Sequence, residues 1–207
     1  MTIYMVSIFG GNIAIILLNY FFNANLADLS FWWILAASVI GTIGVIAIDG
    51  VFATLIRWCM PNKWYDYKVD FHKVSKKETI IYEKLFIKAW KDKILELGMF
   101  TSFSKKKVEN PQSREYIERF ILECNYGAVI HLADAVFGFL LLLCYMPFSY
   151  PMVMSIGMPI CIINAILNIL PLMILRYNLY RLHKLRDILE KKEKSLLQPP
   201  EVSGLWS

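Results

Sequence analysis

The chain has 207 residues, 57% of them hydrophobic and 19% charged, with a formal net charge of +5. That balance is too apolar for an ordinary soluble domain and points to a chain dissolved in a bilayer. Soluble-hydrolase, zinc-site and P-loop readings find no supporting residues. A nucleic-acid role is a poor fit because the basic clusters lie beside apolar stretches.

A helix crossing a hydrocarbon layer of about 30 Å needs about 20 mostly apolar residues. The first such stretch is 3–22; Met1–Tyr4 has no positive charge and no small-x-small cleavage site follows, so it reads as a retained span rather than a signal peptide. The polar turn "NANLADLS" leads to a second span, 31–56, with Asp49 near its end in "GVIAIDG". Structural pairing is the favoured reading of Asp49.

An insert, 57–126, follows, with fifteen basic and ten acidic residues. Within it "IIYEKLFIKAWKDKILELG" repeats apolar residues at Ile81, Leu85, Ala89, Ile94 and Leu97, the pattern of an amphipathic helix lying at the membrane interface and stopped at Gly98. "TSFSKKKVENPQS" reads as a loop, and a new helix is expected to start near Ser113 and run unbroken into a third span, 127–146. "PFSYP" separates this from a fourth, 152–175. The tail, 176–207, puts Leu182, Leu185 and Leu189 on one stripe, read as a second interfacial helix. The expected fold is an all-α membrane protein, one domain of four transmembrane helices with amphipathic cytoplasmic interfacial helices.

All 22 Lys and Arg lie in the insert and the tail, and none precedes Arg57. Since cytoplasmic loops retain Lys and Arg, both segments and both termini are expected on the cytoplasmic side. The four cysteines, Cys59, Cys124, Cys144 and Cys161, lack paired metal spacing and read as apolar filler.

Ionisable groups at mid-bilayer cost about 2.5–3.5 kcal/mol on insertion scales and need a partner, water or a function. On the third span Glu123, His131 and Asp134 share one helical face; His131 and Asp134, three residues apart, can touch, whereas Glu123 lies about 12 Å from His131 along the axis. On the fourth span Asn164 and Asn168 are one turn apart, and Pro171 is expected to bend the helix or free a carbonyl. Arg176, Asn178 and Arg181 then offer donors at headgroup depth, suited to phosphate or carboxylate. Bundles also use Asn, His and Asp as interhelical glue, and that reading stands beside the functional one. His72 and His183 sit among polar residues and read as solvated.

"AWKDKIL" on the insert, "ECNYGAVIH" at the entry to the third span, N-x-x-P, and "RYNLYRL" closing the fourth together resemble the glycosyl-4,4'-diaponeurosporenoate acyltransferase family over roughly 88–186. The residues carried over are Trp90, Lys91, Lys93, Glu123, His131, Asn168, Arg176, Tyr177, Asn178 and Arg181. The chain departs from the pattern at Ala128, where a second acidic residue is expected, and at Leu179 and Tyr180, where another Arg and a Pro continue the signature. The resemblance implies a small bacterial inner-membrane enzyme of the kind that acylates the sugar of a glucosylated carotenoid; nothing in these residues themselves implies a carotenoid.

The expected activity is therefore acyl transfer to a hydroxyl of a lipid or glycolipid. His131 would be the base and Glu123 or Asp134 its orienting group, with Trp90, Lys91, Lys93, Asn164, Asn168, Arg176, Asn178 and Arg181 binding substrate or donor. No tightly bound cofactor or metal is expected. The acyl donor, acyl-coenzyme A or an acyl carrier protein, is a co-substrate, and the partners are membrane lipids and a lipid-linked acceptor. The rivals are a small membrane reductase or methyltransferase acting on an isoprenoid or sterol-like lipid, and a non-enzymatic lipid-binding protein.

Overall fold

The computed structural model describes residues 2–94 and 108–197, and every regular element among them is helical. Helix α1 spans Thr2–Phe22 and α2 spans Phe31–Cys59, its N-terminus capped by Ser30, whose hydroxyl accepts from Trp33 N. The insert contributes α3 (Lys76–Lys84) and the single turn α4 (Ile87–Trp90). Helix α5 covers Arg114–Phe137, α6 Leu141–Tyr145, α7 Tyr150–Met152 and α8 Met158–Leu197.

Among the described residues, four helices are long and apolar enough to cross a membrane: 4–22, 31–59, 114–145 and 150–196. Their outward faces carry large apolar side chains such as Val6, Phe9, Ile13, Ile40 and Ile43, which only lipid solvates without cost. The dominant packing is α5 on α8, with α2 and α1 completing the bundle. At the end where the spans are joined by short turns, Ile15, Ile34, Val45, Leu141, Tyr145 and Ile156 form the core. Gly41 lets Tyr145 enter there: its hydroxyl reaches Ala37 O at 2.6 Å, and a Cβ at Gly41 would lie 2.0 Å from that oxygen.

At the opposite, Lys/Arg-rich end, α5 and α8 both outrun the apolar spans and continue side by side. Ile117, Phe120, Ile121, Cys124 and Ala128 pack against Leu175, Leu179 and Leu182, and Arg186 bridges to Glu118 at 3.2 Å. The tail helix expected as a separate element is thus the continuation of α8: Leu182 is buried against α5, and Leu185 and Leu189 pack against the same cluster. Ser113 caps α5 as expected, its hydroxyl accepting from Tyr116 N.

The single insert helix read from periodicity divides at Phe86, which takes a left-handed φ of 54°. Of the expected stripe, Ile81, Leu85 and Ala89 face outward while Ile94 is buried, and it packs with Ile87, which the stripe did not include, against Ile174 and Tyr177 of α8. Trp90 Nε1 donates to Leu85 O at 3.0 Å, tying the two sides of the break together. The remainder of that stretch, the expected stop at Gly98, residues 101–107 of the expected "TSFSKKKVENPQS" loop and the end of the tail lie outside the described residues.

Pro171 sits inside a continuous α8. Its missing N–H leaves the carbonyl four residues earlier, Leu167 O, without a helical partner, and Tyr4 of α1 fills the gap, its hydroxyl donating at 2.8 Å.

Candidate functional site

Three helices share one register. Asp49 and Arg57 on α2, His131 and Glu123 on α5, and Asn168 and Arg176 on α8 are each eight residues apart, about 12 Å of helix, and α5 runs opposite to the other two. The result is two polar layers, one at the basic end and one about 12 Å deeper among apolar side chains.

The deep layer is a connected network. Asp49 Oδ1 accepts from Asn164 Nδ2 at 3.1 Å and Asp49 Oδ2 from Asn168 Nδ2 at 3.0 Å. Asn164 Nδ2 also faces Asp134 O at 3.4 Å, and Asn168 Nδ2 faces Asn164 O at 3.2 Å and Asn164 Oδ1 at 3.3 Å. On the other side of the Asn168 amide, its Oδ1 lies 2.9 Å from His131 Nδ1. Three oxygens around Nδ2 fix which end of that amide is which, so the oxygen meets the imidazole and His131 Nδ1 donates. When the imidazole is neutral this leaves its lone pair on Nε2, the arrangement a general base needs. His131 is half-buried, whereas Asn164 and Asn168 are buried. Asp134 is buried too, and its Oδ1 has no hydrogen-bond partner among the described residues.

Two expected orienting groups stand elsewhere. Glu123 is in the basic-end layer, paired with Arg57 at 2.7 Å, with the Arg57 guanidinium over the Tyr126 ring. Asp134 contributes its main-chain carbonyl to Asn164, while the bond at His131 Nδ1 comes from Asn168 across the helix interface.

The basic-end layer collects the remaining sequence-predicted residues. Arg176 donates from Nε and Nη2 to Glu78 of α3, at 2.5 and 3.0 Å, and Tyr82 donates to Glu78 Oε1 at 2.5 Å. The Arg176 bonds hold the Glu78 carboxyl below its usual range, while burial, helped by the Glu78 bond, pushes the Tyr82 hydroxyl up to about 12. Tyr177 donates to Glu83 at 3.4 Å, and Lys88 pairs with the same carboxylate at 2.8 Å. Trp90 packs on this cluster, Lys91 and Asn178 are half-exposed, and Lys93 and Arg181 are exposed. Glu78 and Tyr82 are functional-site neighbours that periodicity alone did not mark.

His72, expected in solvent, is buried: its Nε2 lies 2.8 Å from Trp64 O, and burial, reinforced by the nearby Arg176 charge, lowers its pKa. The insert folds back over α8 and shields it. His183 also turns inward, its Nε2 buried without a hydrogen-bond partner among the described residues. Among those residues no His, Cys, Asp and Glu group is arranged to hold a metal ion.

The family model for glycosyl-4,4'-diaponeurosporenoate acyltransferase matches residues 61–188, which include the insert, α5 and the greater part of α8. No curated protein and no solved structure matches the chain.

Proposed function

The chain belongs to the glycosyl-4,4'-diaponeurosporenoate acyltransferase family, and from that premise we propose that it moves a fatty acyl group from a thioester donor to a hydroxyl of a lipid or glycolipid held in the bilayer. The observation that carries this reading is the bond between His131 Nδ1 and Asn168 Oδ1, which presents a neutral, oriented imidazole inside an apolar bundle. His131 Nε2 takes the proton of the acceptor hydroxyl as its oxygen attacks the thioester carbonyl. The carbon–sulfur bond breaks, and the departing thiolate takes that proton from the imidazolium.

The donor is acyl-coenzyme A or an acyl carrier protein. Lys91, Lys93 and Arg181, at the basic end, attract its anionic groups. The thioester then has to reach about 12 Å further in, a depth suited to a donor that carries its acyl group on a long flexible arm. Arg176 is committed to Glu78, so in this reading it holds the insert on α8 and does not bind the donor directly. The acceptor arrives sideways from the lipid, where its hydroxyl can meet a half-buried imidazole. In this reading the insert and both termini lie on the cytoplasmic side of a bacterial inner membrane, where such donors are found; the gathering of Lys and Arg in the insert and the tail supports that orientation.

Sided membrane vesicles test the reading. Labelled acyl-coenzyme A or acyl carrier protein, added to inverted vesicles that contain the chain, is expected to give an acylated lipid identified by mass spectrometry, and sealed right-side-out vesicles are expected to give none. Absence of transfer to any hydroxyl-bearing lipid from either donor would contradict it.

A further inference from the structure

We infer that Asp49 is the residue that sets the working tautomer of His131, acting through the Asn168 amide. It lies on α2, outside the matched residues 61–188, so the family-matched segment does not contain the whole of the site. The inference rests on the proposed function for its catalytic meaning, but the geometry behind it stands apart from that function.

Both Asp49 oxygens accept, one from Asn164 and one from Asn168, which is the pattern of an ionised carboxylate. Its two donors sit one helical turn apart on α8, so the carboxylate bridges them and fixes both amides at once. With Asn168 Nδ2 turned to Asp49, Oδ1 is turned to His131, and Nδ1 has to donate. Removing one negative oxygen undoes this order. In Asp49→Asn one of the two oxygens becomes an NH₂ group, which needs an acceptor where it previously met a donor. Giving up the 3.2 and 3.3 Å contacts of its Nδ2 with Asn164, the Asn168 amide satisfies it by rotating half a turn. Its Nδ2 then faces His131 Nδ1, the imidazole moves its proton to Nε2, and no lone pair remains for the acceptor hydroxyl. Asp49 is thus a positioning residue, with Asn168 as its intermediary and Asn164 as the brace that keeps the carboxylate aligned.

The test uses the full-length chain, 15N-labelled at histidine and reconstituted in lipid nanodiscs, observed by NMR at a pH where the imidazole is neutral. The His131 signals are identified by their loss in His131→Gln. In the wild type the proton is expected on Nδ1; in Asp49→Asn it is expected on Nε2, with kcat for acyl transfer reduced by about 10²- to 10⁴-fold and KM little changed. A wild-type proton on Nε2 overturns the proposal, whatever the behaviour of Asp49→Asn. So does a folded Asp49→Asn chain that keeps the proton on Nδ1. If the tautomer changes as expected but the wild type itself transfers no acyl group, the proposed function is retired and the role of Asp49 stands.

Discussion

Gly138 governs how near α5 can come to α8 at the site. A Cβ there would lie 2.5 Å from Asn164 Nδ2 and 3.3 Å from Val45, so Gly138→Ala has to displace the amide that braces Asp49. Overpacking of this kind costs about 1–3 kcal/mol. The variant is expected to unfold at lower temperature in detergent and to lose acyl transfer out of proportion to that change; wild-type activity in a folded Gly138→Ala chain would mean that Asn164 is not needed. At this scale the sequence was partly legible. Spacing put Asn164 and Asn168 on one turn and His131 beside Asp134, because helical periodicity governs neighbours on one helix. It could not choose between Asp134 and a residue on another helix as the partner of Nδ1, since that depends on the relative rotation of α5 and α8. The same limit hid Asp49, which read as structural until its two oxygens were seen to face the two asparagines.

The insert docks on α8 through groups whose protonation matters. Neutral His72 is buried, and burial, with the charge of Arg176, lowers its pKa. Unfolding or undocking frees it to protonate near its ordinary value of about 6.5, so its contribution is fully present above that pH and is lost as the pH falls toward and through the lower folded value. Glu78 acts with the same sign further down: the Arg176 bonds depress its pKa, so its contribution holds above the ordinary carboxylate range of about 4.3 and fades below it. The protection of α3 against hydrogen exchange, corrected for the intrinsic rate at each pH, is therefore expected to fall in two stages as the pH is lowered, the first removed by His72→Gln. A flat profile across both ranges would mean that the insert is held by its apolar contacts alone. The insert was the least legible element because its apolar residues serve two surfaces. Ile81, Leu85 and Phe86 face outward while Ile87 and Ile94 face α8, and one helical period cannot describe both. The left-handed φ at Phe86, a conformation rare for a bulky residue, gave no signal in the sequence.

The whole molecule follows from a few coarse quantities. Stretch length and hydropathy marked four spans because a bilayer admits only helices of about that length. The same eight-residue spacing on α2, α5 and α8 then stacks an ionic layer at the basic end on a deep polar layer, and the spacing is visible in the sequence once the directions of the helices are known. What the sequence did not reveal is that α8 continues beyond its apolar span and packs along the expected extension of α5, because Leu182 pairs with a buried face of α5 as readily as with a membrane surface. Acyl transfer in this bundle turns on His131 as the base. The most direct measurement is the turnover of purified His131→Gln in nanodiscs, with saturating thioester donor and an acceptor lipid that the wild type acylates. The account predicts a fall in kcat of about 10²- to 10⁴-fold in a chain that remains folded; turnover within about twofold of the wild type would contradict it.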